Sequence, residues 1–328
     1  MQRIALRLRM GSLLGLVLLF TGGLSQGQIW GQPAFPLPPA SKAIAVITAR
    51  QMAQFALVAT IEQELTVGEA QAMVKRAALN AAQSRATETE RDLARSPSPA
   101  SGVARVPILM YHHIATPPPN ADAIRRDLSV RPIAFQEQIG YLRVNGYQAI
   151  GLDDLVDYLL GQRTLPIRAV VLTFDDGYED NYTQAFPALR SNGFTGTFFI
   201  ITDYVGQREY MTWEQIAEMS RAGMSMQAHG RTHDDLAISS AEHTAWQVAG
   251  SRMMLEEKLG QPVHFFCYPS GRYTAQTITI LRAHGYTAAL TTAYGATHSA
   301  SSLFELRRVR VRGSDTLGDF VKKLETAP

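Results

Sequence analysis

From about Arg105 onward the chain repeats one phrase: a short apolar run, an amphipathic stretch, a glycine, then the next apolar run. Residues 106–111, 148–151, 169–174, 196–201, 224–228, 263–268, 287–291 and 306–311 read as strands. Residues 133–145, 152–160, 182–192, 213–222, 241–259 and 275–284 read as helices, several of them stopped by a glycine such as Gly193 or Gly260. Strand, helix, glycine, strand is the pattern of right-handed βαβ units, which build a parallel sheet. Eight such strands predict an α/β fold of the TIM-barrel type, irregular in its closure, with its polar cluster at the C-terminal ends of the strands.

The first hundred residues follow other rules. Arg3, Arg7 and Arg9 precede the apolar run of residues 11–20 and a small-residue stretch, the order of an export signal. Residues 1–27 are therefore expected to be a signal peptide or an uncleaved N-terminal membrane anchor. Either way the rest of the chain lies outside the cytoplasm, secreted, periplasmic or tethered. Residues 28–95 form a linker and helical region: 28–40 are rich in Gln, Gly and Pro, whereas 41–95 are Ala-rich without proline. Two helices fit there, 42–65 and 67–95, the second with Thr66 as N-cap and Glu69 three residues on. The Ser/Pro-rich residues 96–103 are a linker, and 104–328 a separate large domain.

Composition excludes more than it selects. A net charge of +2 gives no field that would favour nucleic acid. A single cysteine, Cys267, excludes an internal disulfide, a zinc ribbon and a CxxC redox motif, and its apolar neighbours predict a buried, inert thiol. Trp213 and Trp246 lie in helical patterns and are expected to pack. His243, His264 and His284 are expected to be structural or exposed.

The chemistry gathers where strands end. Residues 169–174 run into Asp175-Asp176-Gly177, and adjacent acids on extended backbone point in different directions, so one can bind a metal while the other acts as a base. Residues 224–228 run into His229-Gly230-Arg231-Thr232-His233, whose two histidines can face one metal if the segment coils as a helical turn. One carboxylate and two imidazoles leave positions open for water and substrate, the form of a catalytic site. Residues 265–268 end in Pro269-Ser270-Gly271, a turn that can aim backbone N–H groups, and the first strand ends in Tyr111-His112-His113.

In that order and spacing, Thr173-Phe174-Asp175-Asp176-Gly177, His229 with His233, and Tyr268-Pro269-Ser270-Gly271 resemble the polysaccharide deacetylase family, carbohydrate esterase family 4. The opening Val106-Pro107-Ile108-Leu109-Met110-Tyr111-His112-His113 resembles its branch of exported poly-N-acetylglucosamine deacetylases. The resemblance covers about residues 104–325. It implies an irregular (β/α)7 barrel, a zinc ion or another divalent transition metal, and removal of N-acetyl groups from an amino-sugar polysaccharide partner. It implies Asp175 as base and Asp176, His229 and His233 as metal ligands. Ser270, Tyr268 and Tyr178 would meet substrate or oxyanion, and His112 would be the general acid.

The chain departs from the family pattern at several places; one is Ser270, which stands where an aromatic usually follows the proline. Gly230 stands where many members carry Ser or Thr. The arginine that orients the catalytic Asp is missing upstream of Pro269, where Phe266 and Cys267 stand; Arg308 is the expected substitute, with Arg307 and Arg310 beside it. The family's late Leu-His acid motif is not evident, although His298 lies nearby. Rival readings are an O-acetyl esterase on xylan-like polymers, a non-catalytic polysaccharide-binding module, and a two-carboxylate glycosidase, which leaves the histidine pair unexplained. The oligomeric state is open.

Overall fold

The structure, a computed structural model, describes residues 102–328. The signal or anchor, the Ala-rich helices and nearly all of the Ser/Pro linker lie outside the described residues.

Among the described residues ten strands appear: β1 (Val103–Arg105), β2 (Ile108–Tyr111), β3 (Gln148–Ala149), β4 (Ala169–Phe174), β5 (Thr197–Ile200), β6 (Ser225–Ala228), β7 (Phe265–Cys267), β8 (Ala288–Tyr294), β9 (Thr297–Ser299) and β10 (Leu306–Arg310). The helices are α1 (Ala123–Leu128), α2 (Pro132–Val144), α3 (Leu152–Leu159), α4 (Phe186–Asn192), α5 (Trp213–Arg221), α6 (Ala241–Leu259), α7 (Ala275–Ala283) and α8 (Leu317–Thr326).

Seven parallel strands close on themselves in the order β2-β10-β8-β7-β6-β5-β4, because β2 pairs with β10 on one side and with β4 on the other. The expected (β/α)7 barrel is thus present. The eighth expected strand shrinks to the two residues of β3, which pair with Ala169 and Val170, while β5 takes Thr173 and Phe174. A small antiparallel pair, β1 with β9, was not anticipated. Neither was the first turn of the helix expected at 182–192: Asn181–Ala185 is a π-helix, and α4 begins only at Phe186.

All six residues of β4 are buried, as a parallel strand covered on both faces requires. Its residues divide between two cores. Val171 joins Ile108, Phe199, Phe265, Cys267, Leu290 and Leu306 inside the barrel. Leu172 and Phe174 join Leu109, Tyr111, Phe198 and Val309 in the larger layer under the helices. There Phe174 stacks between Tyr111 and Phe198, with ring centroids 5.4 and 4.6 Å apart. Each such ring pair adds about 0.5–1.5 kcal/mol to its burial. That stack fixes the register of β2, β4 and β5. Register decides which side chains point inward, and the period of two then carries Thr173 and Asp175 into the barrel mouth.

Candidate active site

The inward column of each strand emerges at one end of the barrel. It delivers His112 from the end of β2, Asp175 from β4, His229 from β6, Cys267 from β7 and Arg308 from β10. Backbone bonds extend past two of the strand ends: the Asp175 N–H donates to the Tyr111 carbonyl (3.0 Å) and the His229 N–H to that of Ile200 (3.0 Å). Both side chains are thereby fixed by sheet geometry rather than by a loop.

After Asp175 the chain turns abruptly. Asp176 has φ 76° and Gly177 φ 83°, a left-handed pair that swings the second carboxylate toward the histidines. Among the described residues four non-glycines have left-handed φ: Asp176, His233 (φ 61°), Ser270 (φ 54°) and Glu209. Three of these belong to the motifs singled out above. Such backbone costs about 1–3 kcal/mol per residue and persists where the surroundings enforce it, commonly at functional sites.

Asp176, His229 and His233 converge as expected, but not through a helical turn. Residues 229–234 have no regular secondary structure, and Gly230 (φ 77°) and His233 make the bend. The Nε2 atoms of His229 and His233 lie 3.2 and 3.6 Å from Oδ1 of Asp176. His229 Nδ1 is 2.7 Å from the Cys267 carbonyl, so it carries the proton and leaves Nε2 with a free lone pair. Oδ1 of Asp176 is buried without a hydrogen-bond partner among the described residues. A bare carboxylate oxygen facing imidazole lone pairs calls for a cation between them, and the donor set suits zinc or a similar transition metal.

Asp175 faces the other way. Its two oxygens each receive an N–H of Arg308: Nη1 to Oδ1 at 2.7 Å and Nη2 to Oδ2 at 2.7 Å. Arg308 is itself saturated, donating also to Thr173 Oγ1 (3.2 Å), the Thr291 carbonyl (2.9 Å) and Cys267 Sγ (3.1 Å). Burial would raise the Asp175 carboxyl; the guanidinium outweighs it and holds the pKa below the usual carboxylate value. His112 Nε2 lies 3.8 Å from Asp175 Oδ2. Burial lowers the His112 pKa and the two aspartates only partly restore it, so the imidazole is neutral at neutral pH. Cys267 is buried as expected, and burial raises its thiol. It also faces the site, and it leaves room for the Arg308 guanidinium.

Three expected contacts need correction or refinement. The Tyr268 side chain points away from the site into the outer core: it is fully buried, stacks on Tyr273, and its hydroxyl donates to the Phe304 carbonyl (3.0 Å), while its N–H donates to Leu290 (3.1 Å). Alternation along β7 explains this, since Cys267 takes the inward direction. Tyr178 stacks on His113 with ring centroids 3.5 Å apart and lies against Tyr210 at 5.1 Å. Ser270 stands at the mouth, exposed, at the apex of the Pro269–Gly271 turn. His298 is buried against the Val106 carbonyl (2.9 Å), outside this constellation. Trp213 packs against the core, and Trp246 lies under Arg231, 4.2 Å from the ring centroid.

Sequence reasoning missed a supporting layer. Asp180 Oδ2 lies 2.6 Å from His113 Nδ1, its Oδ1 accepts the Ile114 N–H (2.9 Å), and Asn181 Nδ2 donates to the His112 carbonyl (2.7 Å). The π-turn that opens at Asn181 therefore clamps the backbone of His112. The acidic run Asp175-Asp176-Gly177-Tyr178-Glu179-Asp180 was its only trace in the sequence.

Known proteins resemble this chain in sequence and fold. A polysaccharide deacetylase family profile matches residues 162–289. YxkH of Bacillus subtilis (strain 168), named as a polysaccharide deacetylase, is 31% identical over 208 residues, covering 63% of this chain and 72% of that one. The poly-beta-1,6-N-acetyl-D-glucosamine N-deacetylase of Escherichia coli (strain K12) is 26% identical over 282 residues; the match covers 73% of this chain but 41% of the relative. Among solved structures, the Streptococcus pyogenes deacetylase PplD in complex with acetate superposes with TM-score 0.63 at 30% identity, covering 68% of this chain and 99% of that one.

Proposed function

Because the chain belongs to the polysaccharide deacetylase family, we propose that it is a metal-dependent hydrolase that removes N-acetyl groups from an extracytoplasmic amino-sugar polysaccharide. The observation that carries the reading is the Asp176–His229–His233 cluster set beside the Asp175–Arg308 pair at the C-terminal mouth of the barrel. A likeness to relatives named for poly-beta-1,6-N-acetyl-D-glucosamine supports that polymer type, or peptidoglycan, as substrate. The signal-like residues 1–27 support export. No helix of the described residues is long and apolar enough to cross a membrane.

Asp176, His229 and His233 would hold the metal, zinc or another divalent transition ion. Bound there, it supplies Lewis acidity toward the acetyl carbonyl and a more acidic water. The chain's own residues do the rest. Asp175, kept ionised and aimed by Arg308, accepts a proton from the attacking water. The Ser270 N–H would serve the developing oxyanion. His112, neutral at rest and 3.8 Å from Asp175, takes up that proton and delivers it to the departing amine nitrogen. Water and amide thus become acetate and free amine.

The test is acetate release by the purified protein from β-1,6-linked N-acetylglucosamine oligomers, peptidoglycan fragments, chito-oligomers and acetylxylan, with and without chelator. Chelator-sensitive release from an amino-sugar polymer is expected. Release from acetylxylan alone would make it an O-acetyl esterase; sugar affinity without acetate, whatever metal is supplied, would make it a binding module.

A further inference from the structure

Gly230-Arg231-Thr232 joins the two histidines of the metal cluster without regular secondary structure, so its backbone groups need partners from elsewhere. Its carbonyls are served from the loop after β5: Thr202 N–H to Gly230 (3.2 Å), Asp203 N–H to Arg231 (3.0 Å) and the Tyr204 hydroxyl to Thr232 (3.0 Å). Two of its N–H groups, those of Arg231 and Thr232, converge on a single atom. Gln247 Oε1 lies 2.6 Å from Arg231 N and 3.1 Å from Thr232 N. The Nε2 of the same side chain donates to Thr232 Oγ1 (2.5 Å) and Asp234 Oδ2 (3.0 Å). Gln247 projects from α6, is fully buried, and is hydrogen-bonded to neither histidine of the cluster. A Cβ at Gly230 would stand 3.0 Å from Gln247 Oε1, at a backbone φ of +77°. The bare position at Gly230 and the carbonyl of Gln247 therefore fit one another.

We propose that Gln247 is a positioning residue for the metal site, setting the separation and aim of His229 and His233 by tying down the two N–H groups between them. This rests on the metal-site reading above. The spacing of two ligands in an irregular loop is only as fixed as the loop's own hydrogen bonds. Removing the shared acceptor leaves two N–H groups to find water, and the loop relaxes around its ligands. Outer partners of this kind change metal affinity roughly 10–100-fold.

The test measures zinc affinity of the full chain by competition with a chromophoric chelator, for wild type, Q247M and Q247N, alongside thermal unfolding of each metal-free form. Q247M keeps the length of the side chain without its polar ends; Q247N keeps the amide but is a methylene short, and stands in if Q247M does not fold. The expected result is zinc binding weakened roughly 10–100-fold in the variants, with a changed visible spectrum of the cobalt-loaded protein. A merely structural glutamine would lower the unfolding temperature and leave zinc affinity within twofold of wild type; that result overturns the clamp alone. A wild type that binds neither zinc nor cobalt overturns the metal site and the clamp together.

Discussion

Arg308 and Asp175, 133 positions apart in the chain, meet fork to fork inside the barrel mouth, with both N–H···O contacts at 2.7 Å and both side chains buried. Breaking such a pair from one side leaves an uncompensated buried charge, which costs about 3–5 kcal/mol. R308M should therefore lower the unfolding temperature.

The same variant should change the pH profile. Burial pushes the Asp175 carboxyl up and Arg308 overrides it; burial, with a contribution from Arg308, lowers His112. Without the guanidinium both groups hold protons to higher pH. The acidic limb of kcat/KM should then move upward, because a protonated Asp175 or His112 can no longer accept a proton. A limb that stays in place would separate Arg308 from the base.

Metal content should divide the two aspartates. D175N should abolish turnover and retain zinc, since Asp175 faces Arg308 rather than the histidines. H229A and H233A should each lose zinc, by more than the roughly 100-fold that outer partners reach. Metal analysis after dialysis decides it, and zinc retained by both histidine variants would sink the ligand assignment.

H112Q should lower kcat by roughly 10²–10⁴-fold, the usual worth of a proton-transfer group, with zinc content unchanged. D180N should produce a milder loss of kcat with little change in KM, because Asp180 touches His113 and the Ile114 N–H, which hold the backbone around His112. Steady-state kinetics on one defined oligomer compares the two.

Gly230→Ser would restore the residue type that many family members carry here, yet it should weaken zinc binding in this chain. The new Cβ would press on Gln247 Oε1 from a left-handed backbone position. Improved or unchanged affinity in the chelator competition would contradict the fit described for this pair.

Cys267 should resist thiol reagents in the folded protein and react on unfolding. It is fully buried between Asp175 and Arg308, and burial raises its pKa. Rapid labelling of the native protein would place the thiol in an open, anionic setting that this geometry does not provide.

What the sequence determined by itself was whatever is local. The alternation of apolar runs, amphipathic stretches and glycines specified parallel βαβ units, and strand ends specified where polar side chains would stand. Asp175 and His229 were legible because each follows directly on a strand, and Asp176 and His233 because they stand one and four residues further on. The partners of those residues were decided by the tertiary structure. Arg308 was one of three arginines at the last strand until register turned it inward and left Arg307 exposed. Tyr268 read as a site residue until alternation on β7 sent it outward. Gln247 and Asn181 carried no sequence signal at all. A strand's inward face depends on pairing with neighbours far along the chain, and a slip of one residue exchanges its two faces. The proposed ligands were therefore readable from spacing, while the groups packed around them followed from barrel closure and register.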